Sequence, residues 1–392
     1  MLSTQFFHDK AVELYPFIKS IREHLHANPE LSFKEYNTSD FIAERLTELK
    51  LKFERNWADT GIVGRIGSGG KHLALRADID ALPITEENDV PYKSCNPGVM
   101  HACGHDVHSS CLIGALAILS VIKDLPGQVR FIFQPGEEKN PGGASMLIKE
   151  GVLEDPKVDG IIGQHVYPEL EQGKVGFRSG MYMASCDEIY IEIEGKGGHG
   201  ALPHKAVDSV YIASQIVVAL QNIVSRKADA TIPTVLSFGK FQADGATNVI
   251  PSKVYLAGTF RTFNEEWRKE AHELIKRQAE GIAASFGAKA NVKIDVGYPF
   301  LKNDEDFTHK SQHWARELLG EENVVELGMR MTAEDFSYYS QHVPASFYRL
   351  GVRNEDLGIV NSVHHPKFDI DPKALQTGMA TMAYLAYRYL SE

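Results

Sequence analysis

Cysteine is scarce in this chain. Four residues in 392, Cys95, Cys103, Cys111 and Cys186, are too few and too scattered for a disulfide framework. Positive charge is also short: 41 Lys and Arg against 52 Asp and Glu leave a net charge of -11. That balance argues against a nucleic-acid partner, which needs a basic stripe. No run approaches the roughly 18 apolar residues of a membrane span, so no membrane partner is expected. The first ten residues carry His8, Asp9 and Lys10 where a signal peptide needs an apolar stretch. A reducing, cytoplasmic setting is the expectation. Absent too is a Gly-x-Ser-x-Gly elbow, so a serine triad has no anchor. His272-Glu273 lacks the second histidine of a helical zinc motif, and Gly195–Gly200 lacks the Gly-Lys-Ser/Thr of a phosphate loop.

What is there is an ordinary globular composition, 43% hydrophobic and 24% charged, over a length that exceeds one usual core. Two domains are expected. Helical spacing marks 6–26, where His24 and His26 read as helix surface, and 39–49. Then 73–77, 129–134 and 160–164 read as strands, alternating with helices over 111–122 and 143–150. Such alternation implies parallel strands with crossover helices, an α/β fold. From about Gly176 the pattern changes. Glu188–Glu194 alternates strictly, as a strand with one wet face does, and a β-α-β-β-α-β order follows. It describes a ferredoxin-like α+β unit with helices on one antiparallel sheet. The simplest reading inserts residues 178–290 into a larger domain formed by 1–177 and 291–392.

The polar clusters recur where apolar strands end, which is where ligands gather in an α/β sheet. Residues 73–77 lead into Asp78 and Asp80, 131–134 into Glu137-Glu138, and 161–164 into His165; His364-His365 follows Ile359-Val360. The densest stretch is Met100–His108, with Cys103, His105, Asp106 and His108 in nine residues. Cys and His two apart cannot share a helix face, but at a strand-to-helix turn both can point at one ion. An isolated cysteine is more often a small buried hydrophobe; the neighbouring histidines shift Cys103 toward a ligand. His165 alone reads equally as a core histidine, and His364-His365 as a turn. Glu137 and Glu138, on opposite sides of extended backbone, can divide the work: one holds metal, the other moves a proton. Asp78, Asp80 and Asp106 brace the sheet or stand behind a ligating histidine. A thiolate with imidazoles suits Zn(II), and added carboxylates keep Mn(II) in play. The glycines around His199 make a tight bend or let it reach a reacting carbonyl. Arg261, late in an apolar strand, either forks onto a substrate carboxylate or makes a structural ion pair.

With these residues in view, the chain resembles the aminoacylase, hippurate hydrolase and indoleacetyl-amino-acid hydrolase group of dinuclear metallopeptidases. The resemblance runs through His26–Ser32, Arg76–Pro83, Met100–His108, Gln134–Glu138, His165–Pro168, Gly197–His204, Asn248–Pro251, Ala333–Phe336 and His364–Phe368. It implies that Cys103, His105, Glu138, His165 and His364 hold two divalent metal ions, the sulfur bridging both, with Glu137 as general base. His199 would steady the oxyanion, often from the partner subunit of a dimer, while Asn248 and Arg261 grip the substrate. Lys139-Asn140, where many relatives carry glycines, is a departure that touches the loop and leaves the ligand set intact. The implied activity is metal-dependent hydrolysis of the amide of a small N-acyl amino acid by a homodimer joined through the inserted lid/dimerisation domain. A dipeptidase or carboxypeptidase on the same machinery, or a catalytically silent metal-binding dimer, are the rivals.

Overall fold

The computed structural model describes residues 2–392. The chain divides into two compact units. The larger runs to Tyr182 and resumes over Lys302–Met329 and Asp335–Glu392; the smaller comprises Met183–Leu301 with Arg330–Glu334.

In the larger unit α1 (Thr4–Ala27) and α2 (Tyr36–Glu48) precede strands β1 (Lys52–Trp57), β2 (Gly61–Gly67) and β3 (Lys71–Asp78). There follow α3 (His105–Ser120), β4 (Gly127–Gln134), α4 (Gly143–Lys149) and β5 (Gly160–Glu171). The sheet order is β1-β2-β4-β3-β5, then Ala345–Arg353, Val175–Phe177 and Val324–Glu326. β3 is parallel to β4 and β5, and Ala345–Arg353 is parallel to β5. The sheet is nevertheless mixed, because β2 pairs antiparallel with both β1 and β4. That edge hairpin left little strand signal: Lys-Phe-Glu-Arg-Asn-Trp is mostly exposed.

α3 begins six residues before the expected start at Cys111 and is buried along its whole length from His105 to Leu119. A helix can be polar and buried when each polar group finds a partner. Here His108 and Ser109 bond Asp78, and Ser110 bonds the Asp106 carbonyl. α3 packs between α1 and the C-terminal helix Ala374–Ser391, in a core that includes Phe7, Ile18, Leu112, Leu116, Leu75, Met379 and Leu385. The parallel register aligns the strand ends. Asp78 lies opposite Gln134, and Arg76 opposite Gly163, which puts His165, two residues on, level with Asp78. β3 and β4 therefore end at one edge of the sheet, and β5 passes it at His165 on its way to Glu171.

The smaller unit is a four-stranded antiparallel sheet ordered Thr234–Gln242, Lys253–Thr262, Asp187–Glu194, Lys289–Val296. In chain order that is 2-3-1-4, the ferredoxin-like arrangement. Helices Ser209–Asn222 and Glu265–Ser285 cover one face, packing Ile212, Ile216, Leu274 and Ile275 on Ile189, Ile191, Ile193 and Leu256. The boundary expected at 290/291 falls inside the strand Lys289–Val296, which pairs with Asp187–Glu194; the unit continues to Leu301.

Candidate metal centre

At the carboxyl edge, Gly104 turns the chain from the loop into α3 with φ +83. A Cβ there would meet Val166 Cγ2 at 2.6 Å, so only glycine fits. The turn presents Cys103 and His105 to β5. From far along the chain, the His364 N–H donates to the Ala102 carbonyl at 2.7 Å, with His364 itself left-handed at φ +65. β4 delivers Glu137 and Glu138 through a second left-handed glycine, Gly136.

Among the described residues, donor atoms of Cys103, His105 and His165 lie within 4.8 Å of one another, and so do those of Cys103, Glu138 and His364. Cys103 belongs to both sets. Its Sγ is 3.4 Å from His165 Nε2, and His364 Nε2 is 3.3 Å from Glu138 Oε1. Donors around a four-coordinate ion with bonds of about 2.0–2.3 Å stand roughly 3.3–3.8 Å apart. The side chains fit two divalent cations on a further count. His105 Nε2 and Glu138 Oε1 are buried with no hydrogen-bond partner, a costly state unless something else binds there.

Each ring is turned by its other nitrogen. His105 Nδ1 donates to Asp80 Oδ1 at 3.1 Å, leaving Nε2 toward the centre. Asp80 Oδ2 in turn accepts from Ser32 Oγ at 2.6 Å and from the Glu138 N–H at 3.0 Å. His165 Nδ1 donates to the Val166 carbonyl at 2.8 Å, turning Nε2 to the sulfur. His108 has both nitrogens occupied: Nδ1 donates to Asp78 at 2.6 Å and Nε2 accepts from the Val166 N–H at 2.8 Å. It is a strut between α3 and β5.

Asp78, expected behind a ligating histidine, is bonded instead to His108 and to Arg76 Nη1 at 2.6 Å; the carboxylate on His105 is Asp80. Arg76 Nη2 reaches Asp335 at 2.6 Å, and Asp335 also accepts from Gln134 and the Ala144 N–H.

Burial and neighbouring charge act together on these groups. Burial, with the charges of Glu138 and Glu137, pushes the Cys103 thiol well up. Burial opposes charge on His105 as well, but Asp78 and the bonded Asp80 overcome it and push His105 up to about 10. Burial and the Arg349 charge hold His165 well below the usual imidazole range. Asp80, Glu137 and Glu138 all face His105 within 4.0 Å, a concentration of negative charge that a cation would neutralise. Glu137, 6% exposed, sits beside this set. Its Oε1 accepts from the Asp335 N–H at 3.4 Å, and its Oε2 is 4.0 Å from His105 Nε2.

Asp106 does not serve a ligating histidine. It accepts from Arg22 Nε at 2.9 Å and His26 Nδ1 at 2.7 Å, while His26 Nε2 faces Glu86 at 3.2 Å. The network ties the start of α3 to α1, so His26 is fully buried and not the helix-surface residue its spacing suggests. Burial and Arg22 oppose its charge, but two carboxylates raise the His26 pKa. A raised folded-state value means stability that is complete below the unfolded value and lost as pH rises through the folded one. Above about pH 6.5, this contributes a fall in stability of at most ~1.4 kcal/mol per pH unit. Urea midpoints of the metal-loaded protein and of His26→Gln, at about pH 6.5 and two units higher, check it. The variant should show the shallower decline; equal slopes would refute the imidazolium.

The remaining expected residues belong to the smaller unit. His199 lies on the short strand Gly198–His199, opposite Val249, with Nδ1 accepting from the Ala201 N–H at 3.0 Å. It shares a cleft of about 670 Å³ with Asn248, Asp244 and Lys253. Arg261 lies eight residues beyond Lys253 on the same strand, roughly 26 Å away. Burial pushes the Cys186 thiol up and the nearby Arg261 charge opposes it; Arg261 Nη1 is buried without a hydrogen-bond partner. The structure gathers His199 and Asn248, but not Arg261, in that cleft.

Comparison with known proteins adds independent findings. The sequence profile of Peptidase family M20/M25/M40 matches residues 74–388. N-acetyl-L-cysteine deacetylase of Bacillus subtilis is 41% identical over 358 residues, 91% of this chain and 84% of that one. N-acyl-L-amino acid amidohydrolase of Geobacillus stearothermophilus is 44% identical over 288 residues, 72% and 77% of the two chains. Among solved structures, the YXEP protein of Bacillus subtilis, described as a dinuclear metal binding peptidase, superposes with a TM-score of 0.81 at 34% identity. That match covers 97% of this chain and 99% of the other.

Proposed function

Since the chain belongs to Peptidase family M20/M25/M40, we propose that it hydrolyses the amide bond of N-acyl amino acids, with Cys103, His105, Glu138, His165 and His364 as metal ligands. The observation that carries this reading is the sharing of one sulfur by two donor sets, with a further carboxylate, Glu137, beside them. Two divalent cations bound to these donors supply Lewis acidity toward the amide carbonyl and acidify water. The thiolate and imidazoles suit Zn(II), and Glu138 keeps Mn(II) competitive.

Glu137 does the proton work. Its Oε2 accepts a proton from the attacking water and returns it to the leaving nitrogen, giving a carboxylic acid and an amine that exchange the acid proton to leave as carboxylate and ammonium. The Asp335 N–H holds the other oxygen in place meanwhile. His199 is assigned to the oxyanion, a term typically worth a few kcal/mol, and Asn248 and Arg261 to the substrate's backbone and carboxylate. The smaller unit is assigned as lid and dimerisation surface, a homodimer checked by sedimentation. No helix of the described residues is long and apolar enough to cross a membrane, and none of the four cysteines is paired; both fit the cytoplasmic placement proposed here.

The test combines metal and substrate. Elemental analysis should find two divalent ions per chain, and a chelator should abolish turnover that Zn(II) or Mn(II) restores. A panel of acetyl- and benzoyl-amino acids should be cleaved in preference to dipeptides. Preference for dipeptides would make the protein a peptidase on the same centre. Metal content without turnover of any member would sink the hydrolase reading.

A further inference from the structure

The segment 29–35, between α1 and α2, supplies no metal donor, yet two of its side chains hold turns that do. Ser32 bonds Asp80, the carboxylate on His105. Glu35 is fully buried. Its Oε1 accepts from the Gly136 N–H at 2.9 Å and the Phe33 N–H at 2.8 Å, and its Oε2 from the Thr60 hydroxyl at 2.7 Å.

Gly136 immediately precedes the base. It is left-handed at φ +62, and a Cβ on it would stand 2.3 Å from the Phe33 ring. Phe33 is itself left-handed at φ +62, a costly conformation for a bulky residue that persists only where its surroundings enforce it. Glu35 thus clamps two facing left-handed residues through one oxygen.

The clamp carries a cost. Burial, together with the charge of Asp80, pushes Glu35 up to about 7. It does not cap α2 through its side chain. A buried carboxylate of this kind is destabilising unless it organises what surrounds it.

We infer that Glu35 is a positioning residue for the reaction: through the Gly136 amide it fixes the turn that aims Glu137, and so acts on turnover without touching substrate or metal. The inference rests on Glu137 being the base. Its mechanism is acceptance of a hydrogen bond, and a glutamine amide oxygen does that equally well.

The experiment compares the parent enzyme, Glu35→Ala and Glu35→Gln with an N-acetyl amino acid, each brought to full metal occupancy. Glu35→Ala should lower kcat by about 10–100-fold, the scale of an ångström-level misplacement, with KM and metal content unchanged. Glu35→Gln should return close to the parent. Independently of activity, amide exchange over residues 134–138 should quicken in the alanine variant and not in the glutamine one. If Glu35→Ala does not fold, Glu35→Asp, which keeps the charge but withdraws it by one methylene, takes its place. An alanine or aspartate variant with parental kcat and exchange overturns the inference, as does a glutamine variant as impaired as the alanine one. If instead Glu137→Gln keeps the parental rate, the assignment of the base fails, and the exchange readout still decides whether Glu35 sets the turn.

Discussion

Glu137→Gln is expected to keep both cations and to turn over an N-acyl amino acid about 10²–10⁴-fold more slowly than the parent, the range general acid–base catalysis supplies. Two features of the site fix this expectation. Glu137 has donor atoms close to His105 and Glu138 but is not in either set that shares the sulfur, and the proposed ligands complete both sets without it. Glutamine has the same shape, and its amide oxygen can still accept from the Asp335 N–H that now meets Glu137 Oε1. What it cannot do is take a proton from water at neutral pH. The loss should fall on kcat, with KM little changed, because the missing interaction belongs to the transition state. Parental turnover would remove Glu137 as the base. Loss of a cation would make it a ligand instead.

Arg76→Met should have the largest effect on stability, a loss of roughly 3–5 kcal/mol. Arg76 Nη1 and Nη2 meet Asp78 and Asp335, each at 2.6 Å, with all three side chains wholly inaccessible to water; Nε bonds Gln134 Oε1 at 2.9 Å. Methionine fills much of the volume but removes the cation that faces both carboxylates. Removing a second charge as well, in Arg76→Met with Asp335→Asn, should recover part of the loss, since neutralising a buried pair is tolerated far better than halving it. Urea midpoints at constant m-value measure this. A single variant within 1 kcal/mol of the parent, about the net worth of one ordinary hydrogen bond, would refute the account.

Much of this centre was legible from residues that cluster where an apolar run stops. The carboxyl-edge rule pointed to Glu137-Glu138 and His165 as a neighbourhood, while the division into ligands and base came from the family resemblance. The carboxylates behind them were not legible, because their direction depends on backbone detail. Asp78 and Asp80 are both at the end of β3, and only the turn after the strand decides which meets His105 and which meets His108. Asp106 follows His105 in a helix, so it points about 100° further round, toward Arg22 and His26 of α1. His26 carried the periodicity of a surface residue, yet Glu86 and Asp106 make it a buried one. Glu35 had no local signal at all: its partner Gly136 lies 101 residues away. The antiparallel edge escaped for the opposite reason. β1 is short of apolar residues, because one sheet face there is wet.

The hydrogen bond from His364 to Ala102 sets a clock on the birth of the enzyme. On a ribosome, 364 − 165 = 199 residues separate His165, which completes the first proposed donor set, from His364, roughly 10–40 s at ordinary elongation rates. Through that interval the nascent chain carries the residues of one proposed donor set without the histidine that completes the other. A chain cut short in that window would carry the proposed donors for one cation and lack the residue that completes the second set.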